Sequence, residues 1–166
     1  MTAVTVLVLA DTHLRTGSPR WLPDSVVSCL DGVEAVLHAG DVLDAGVLDR
    51  LAAACATVHA VLGNNDVSLV GVLPHTKVVE LAGVRIGMIH DSGPSAGREA
   101  RLHRRFPDCQ VVVFGHSHEP VAMLGAGGQL LFNPGSATQR RRQPVPTFGL
   151  LVLEAGRVSE HRILPV

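Results

Sequence analysis

The sequence is poor in lysine, in cysteine and in long apolar runs, and each shortage narrows what the protein can be. Lys77 stands alone beside thirteen arginines, which reads as a bias of genome composition before it reads as function. With acidic residues included, the formal net charge is -1. That balance gives no electrostatic case for nucleic acid or an anionic membrane as the main partner. The three cysteines, Cys29, Cys55 and Cys109, are isolated among apolar residues, and no C-x-x-C pair occurs. They read as buried thiols in a reducing compartment rather than as a disulfide framework. No apolar stretch approaches a membrane span. The N-terminus has no basic n-region, and its apolar run is cut short by Asp11, so it does not read as a signal peptide. The expected location is the cytoplasm. There is no repeat, low-complexity segment or linker, so residues 1–166 are expected to form a single domain, long enough for a proper core.

What is present begins with Val4 to Leu14. A β-branched apolar run reads as a strand buried on both faces, and it ends in Asp11-Thr12-His13. Asp11 and His13 lie on one side of an extended segment and can reach a common ion. At the carboxyl ends of buried strands, α/β sheets present polar groups to a crevice. The pattern returns along the chain. Glu34 to Ala39 reads as a strand running into Gly40-Asp41, and Thr57 to Leu62 as one running into Gly63-Asn64-Asn65-Asp66. Between them Asp24 is expected to cap a helix to Leu30, and Asp44 a helix whose Val47, Leu48, Leu51 and Cys55 share a stripe. This β-α-β-α-β order predicts parallel strands with crossover helices.

The second half reads as a hairpin, Lys77 to Leu81 and Val84 to Ile89 around Ala82-Gly83, ending at His90-Asp91. Ser95 is expected to cap a helix to about Phe106, with Arg98, Arg101, Arg104 and Arg105 on its outer surface. Val111 to Phe114 then runs into Gly115-His116-Ser117-His118, and four further strands follow: Val121 to Leu124, Leu130 to Phe132, Thr147 to Leu153 and Arg157 to Leu164. Their short connections predict a largely antiparallel half. The expected architecture is α/β, two sheets packed face to face with helices outside.

Five strands thus end in possible metal ligands: Asp11 and His13, Asp41, Asn64, His90, and His116 with His118. Mixed nitrogen and oxygen donors suit a borderline divalent transition ion, with Mn first and Fe, Co, Ni or Zn as alternatives. Seven ligands exceed one tetrahedral site but suit two ions sharing a carboxylate. Two ions about 4 Å apart can activate water and offset phosphoryl charge.

Asp11-x-His13, Gly40-Asp41, Gly63-Asn64-x-Asp66, the strand-end His90 and Gly115-His116-x-His118 together resemble the calcineurin-like metallophosphoesterase superfamily. The short length and Asn133-Pro134-Gly135-Ser136 resemble its small YfcE-like phosphodiesterase branch. The resemblance implies a four-layer αββα sandwich of two mixed β-sheets. It implies that Asp11, His13 and His118 hold one metal and Asn64, His90 and His116 a second, with Asp41 bridging. Asp41, Asn64 and His90 are then the residues nearest the chemistry, and a metal-bridging hydroxide is the implied nucleophile. Two departures stand out. Asn65 occupies the position where much of the superfamily has a histidine thought to protonate the leaving group. Its absence costs roughly 10²–10⁴-fold for poor leaving groups. His38 and His75 are alternative acids. Asp91 follows His90 where the branch usually has glycine, and it either orients His90 or caps a turn.

Other residues carry plainer alternatives. Asp66 either bonds within its loop or serves the site directly. His38 is either a satisfied core residue or a partner of the site. His59, His103 and His161 are expected to have no special role. Arg140-Arg141-Arg142 is either a solvated run or the source of a phosphate clamp. Asn133-Pro134-Gly135-Ser136 is expected to be a structural turn. The leading function is a phosphodiesterase acting on a small phosphoester. A phosphomonoesterase is the alternative enzyme, and a scaffold like the retromer subunit of this fold is the non-catalytic alternative. A nuclease or other nucleic-acid partner fits less well, no membrane partner is expected, and exposed edge strands leave room for a homo-oligomer.

Overall fold

The computed structural model describes residues 3–55 and 57–166. In chain order the elements are β1 (Val4–Leu9), α1 (Asp24–Leu30), β2 (Ala35–His38), α2 (Ala45–Ala54), β3 (Val58–Ala60), β4 (Thr76–Leu81) and β5 (Val84–Ile89). They continue with α3 (Arg98–Arg105), β6 (Val111–Val113), β7 (Val121–Leu124), β8 (Leu130–Asn133), β9 (Thr147–Glu154) and β10 (Arg157–Pro165). One five-stranded sheet has the order β10-β9-β1-β2-β3, and the other β4-β5-β6-β8-β7. Both are mixed. No helix among the described residues is long and apolar enough to cross a membrane.

Strand periodicity explains the layers. In β1, Val6 and Val8 enter the core between the sheets, with Leu37, Ile86, Met88, Val113 and Phe132. Leu7 and Leu9 point the other way and pack under α1 and α2 with Val26, Leu30, Val47 and Leu51. The second sheet repeats the device. Val111 and Val113 face the central core, while Val112 meets Leu102 and Phe106 of α3. A strand buried on both faces has no polar alternation, which is why these stretches read as continuous apolar runs. Each fully buried Val, Leu or Phe contributes roughly 1.5–3 kcal/mol, so this triple stack fixes the strand ends rigidly.

Five local expectations need correction. The second half is antiparallel at β4–β5, β7–β8 and β9–β10, as expected, but β5 pairs with β6, and β6 with β8, in parallel. Helix α3 makes the first crossover. The second arises because β7 folds onto the far side of β8, leaving β8 free to lie beside β6. Asp24 is the first helical residue of α1 and Pro23 the one before it, so the carboxylate complements the helix end without capping it. Asp44 does precede α2, but its carboxylate accepts from the backbone N and the hydroxyl of Thr16 instead of capping. Ser95 does not start α3, because Gly97 takes the left-handed turn before Arg98.

Arg101 is also not a surface charge. Its guanidinium donates to the carbonyls of Ser92 and Pro94 and ties down the loop after β5. Arg104 and Arg105 are exposed as expected. Cys55 and Cys109 are buried free thiols, and Cys29 is half-buried.

Candidate metal centre

All seven expected ligands meet at one end of the sandwich. Asp11 and His13 follow β1, Asp41 follows β2 and Asn64 follows β3; these three strands are neighbours in the first sheet. His90 follows β5, and His116 and His118 follow β6, its neighbour in the second. Asp11, Asp41, His90 and His118 are buried and His13 is half-buried, while Asn64 and His116 are exposed and form the open side.

Getting the side chains to point inward strains the backbone. Asp11, His13, Asp41, His116 and His118 all have positive φ, between 47° and 70°. Left-handed conformations cost non-glycine residues roughly 1–2 kcal/mol each and concentrate at sites that use them. Glycines supply the close approaches. A Cβ on Gly40 would lie 2.7 Å from His90 Nδ1, and one on Gly63 would lie 2.9 Å from Asp41 Cα. This is the physical content of Gly40-Asp41 and Gly63-Asn64.

The donors form two overlapping groups. Asp11, His13 and His118 bring ligand atoms within 4.8 Å of one another, as do Asp11, Asp41 and His90. His13 Nε2 and His118 Nε2 are 3.4 Å apart, and His118 Nε2 is 3.4 Å from Asp11 Oδ1. On the other side, Asn64 Oδ1 lies 3.0 Å from His90 Nε2 and 2.9 Å from His116 Nδ1. Asp41 Oδ2 stands between the groups, 3.6 Å from both His13 Nε2 and His90 Nε2.

The outer atoms fix these orientations. His90 Nδ1 donates to Ala39 O at 2.7 Å, and His118 Nδ1 donates to Gln139 O at 2.6 Å. Each bond selects the tautomer that leaves Nε2 with a lone pair facing inward, as a metal ligand requires. Asp11 Oδ1 is buried without a hydrogen-bond partner. An orphaned carboxylate oxygen facing imidazole lone pairs is costly unless a cation fills the space, so the donor set fits a divalent metal. The electrostatics agree. Burial, reinforced by the Asp41 charge, pushes the Asp11 carboxyl up to about 8. Burial also holds His13, His90 and His118 below the ordinary histidine value. Burial alone would raise Asp41, but the two Asn65 hydrogen bonds and the neighbouring histidines outweigh it and hold Asp41 low.

The residues left open now have places. Asp66 is a strut: its carboxylate accepts from the backbone N–H of Asp41 (2.9 Å), Leu43 (2.8 Å) and Gly63 (2.7 Å). Asn65 grips Asp41, with its N–H on Oδ1 at 2.8 Å and its Nδ2 on Oδ2 at 2.7 Å. Asp91 caps its own turn through the Gly93 N–H, so Ala39, not Asp91, orients His90. His38 is wholly buried against the Thr12 hydroxyl, and burial pushes it down to about 3. It is too weak a base to hold a proton for a leaving group. His75 is exposed and lines a cavity of about 360 Å³ with Asn64 and His90. Arg141 is exposed, and its charge bears on Asp11, His13 and His118. His161 packs edge-on to Phe132.

Sequence reasoning missed one tier of supports. Ser136 Oγ donates to Asp11 O, and Thr138 Oγ1 to Thr12 O. Asn133 Nδ2 donates to Gly115 O, so the Asn133-Pro134-Gly135-Ser136 turn braces the loops carrying Asp11 and His116. These partners lie up to 126 residues apart in sequence, and no local pattern marks them.

Two mixed sheets with helices on their outer faces and this donor cluster at their ends are the architecture of the calcineurin-like α/β sandwich. The calcineurin-like phosphoesterase superfamily domain matches residues 4–156, and the chain belongs to that superfamily. A protein of Methanocaldococcus jannaschii named as a probable metallophosphoesterase is 32% identical over 162 residues, covering 96% of this chain and 80% of that one. Among solved structures, vacuolar protein sorting 29 from Cryptosporidium parvum superposes with a TM-score of 0.78 at 24% identity, covering 99% of both chains. A structure described as a novel archaeal phosphodiesterase gives a TM-score of 0.73 at 20% identity, covering 98% of this chain and 100% of that one. At those identities the two structures speak for the fold. The chain is a metallophosphoesterase-family protein with candidate metal-binding residues.

Proposed function

We propose that this chain is a dinuclear metal-dependent phosphodiesterase, acting on a small phosphoester in the cytoplasm as a single domain. The observation that carries the reading is Asp41 Oδ2, equidistant at 3.6 Å from an imidazole of each ligand group. Asp11, His13 and His118 would hold one ion and Asn64, His90 and His116 the other, with Asp41 shared; manganese heads the candidate metals. When bound, such ions supply an acidified water and neutralise phosphoryl charge.

The protein groups do the rest. Asn65 keeps Asp41 ionised and correctly turned. The carbonyls of Ala39 and Gln139 keep His90 and His118 in the ligand tautomer. Asn64 and His116, on the open side, face the arriving ester. Arg141, whose positive charge already bears on this cluster, neutralises a non-bridging phosphoryl oxygen. His75, on the cavity shared with Asn64 and His90, is the histidine that protonates a poor leaving group in place of the residue at position 65.

The test is to strip the protein with chelator, restore Mn²⁺ and compare an aryl phosphodiester with the matching aryl phosphomonoester. Metal-dependent turnover favouring the diester supports the reading. Preference for the monoester makes the protein a phosphatase. No turnover of either with two metals bound favours a scaffold, the reading that similarity to vacuolar protein sorting 29 keeps open.

A further inference from the structure

Next to the candidate metal centre, beyond His13, lies a cavity of about 370 Å³ that the chemistry above does not use. Its volume falls in the range of small-molecule sites, about 300–1,000 Å³. Arg15, Arg20, Trp21 and Thr138 are among the residues that line it. The loop that carries them is held in place: Thr16 is bonded through its backbone and its hydroxyl to Asp44, and Arg20 N donates to Ser18 Oγ at 3.1 Å. Trp21 is the only tryptophan of the chain. The Arg50 guanidinium lies 3.6 Å from the centroid of its ring, fixing the ring while Arg50 stays out of the cavity. Arg15 and Arg20 are exposed, and among the described residues no carboxylate lies within ion-pair distance of either.

A fixed aromatic ring beside two unpaired guanidiniums, opening onto a candidate phosphoryl-binding centre, is chemistry for an aromatic group that carries its own phosphate. We infer that this cavity binds one flank of the substrate, and that the flank is a nucleotide: its base stacks on Trp21, and a phosphate beyond the scissile one pairs with Arg15 and Arg20. The inference rests on the phosphodiesterase reading and narrows its substrate class. Stacking of a base on an aromatic side chain, and a charge-assisted bond to phosphate, are each worth about fivefold or more in kcat/KM.

The experiment uses the Mn²⁺-loaded protein and three p-nitrophenyl phosphodiesters: the methyl ester, the thymidine ester, and the thymidine ester with a further phosphate on the sugar. In the wild type kcat/KM rises at least about fivefold at each step, through KM. Trp21→Leu removes the first step and Trp21→Phe keeps it. Replacing Arg15 and Arg20 together by Gln removes the second. Three esters hydrolysed equally well by the wild type overturn the inference while leaving the phosphodiesterase reading intact, and so do steps that survive the substitutions. If no ester is hydrolysed, that reading fails instead. Calorimetric binding of thymidine bisphosphate, weakened by the Arg15 and Arg20 substitutions, then still supports the cavity as a nucleotide site, and absence of binding overturns it.

Discussion

Replacing Asp66 by Asn tests whether this buried carboxylate is a strut or a participant. The two side chains are nearly the same size, so no cavity opens. What changes is the count of acceptors. The carboxylate presents two oxygens to three backbone N–H groups, those of Asp41, Leu43 and Gly63. An amide presents one oxygen, which best satisfies the two N–H groups now sharing Oδ2. Its NH₂ must then face the Leu43 N–H. One charge-assisted bond is lost, a donor opposes a donor, and the remaining bonds weaken. Together these cost about 2–4 kcal/mol, which for a chain of this length lowers Tm by roughly 5–12 °C. Urea denaturation should show a lower midpoint with an unchanged slope, because the surface exposed on unfolding is the same. Activity at a temperature where the variant is folded should also fall, since Asp41 and the Asn64 turn lose their common anchor. A variant as stable as the wild type yet inactive would refute the strut and put Asp66 in the chemistry.

Four further outcomes follow from the same geometry. Asn65→Ala releases Asp41 Oδ2 and should weaken metal affinity about tenfold or more, read by competition with a chelating dye. His75→Asn should slow alkyl phosphodiesters far more than p-nitrophenyl ones; equal effects on both would exclude an acid role. Arg141→Gln should raise KM for the aryl diester with little loss of kcat, measured at saturating Mn²⁺. The metal-free protein should lose stability as pH rises from about 7.5 to 8.5. In that window the histidines are close to neutral in both states, since they titrate near 6.5 when unfolded and burial lowers them further when folded. Asp11, pushed up to about 8 by burial and by Asp41, still partly holds a proton that the unfolded chain has released. The folded state therefore binds more protons, stability falls with pH, and thermal melts of Asp11→Asn should be flat over the same range.

Much of this was legible in the chain itself, for a physical reason. A strand buried on both faces must be apolar throughout, so a polar residue at its end is conspicuous, and five such ends named Asp11, His13, Asp41, Asn64, His90, His116 and His118. What was hidden depends on partners far apart in sequence. The parallel pairing of β6 with β8 follows from which side of β8 receives β7, a choice made by packing and not by loop length. The grip of Asn65 on Asp41 and of Ser136 on Asp11 leaves no periodic trace. The start of α2 was legible but its capping bond was not, because the Asp44 carboxylate found Thr16 instead.

The ligands come from both sheets, and that bears on when the site can exist. His13 and His118 face each other across 105 positions of sequence. A chain emerging from the ribosome has completed β1, β2 and β3 long before His118 is made, and at that stage it holds only half a site. Tight metal binding must therefore follow the docking of one sheet onto the other. A bound ion then acts as a clasp between the two: it does not hasten their meeting, but it slows their separation, so metal should lengthen the lifetime of the folded state far more than it shortens the time to reach it.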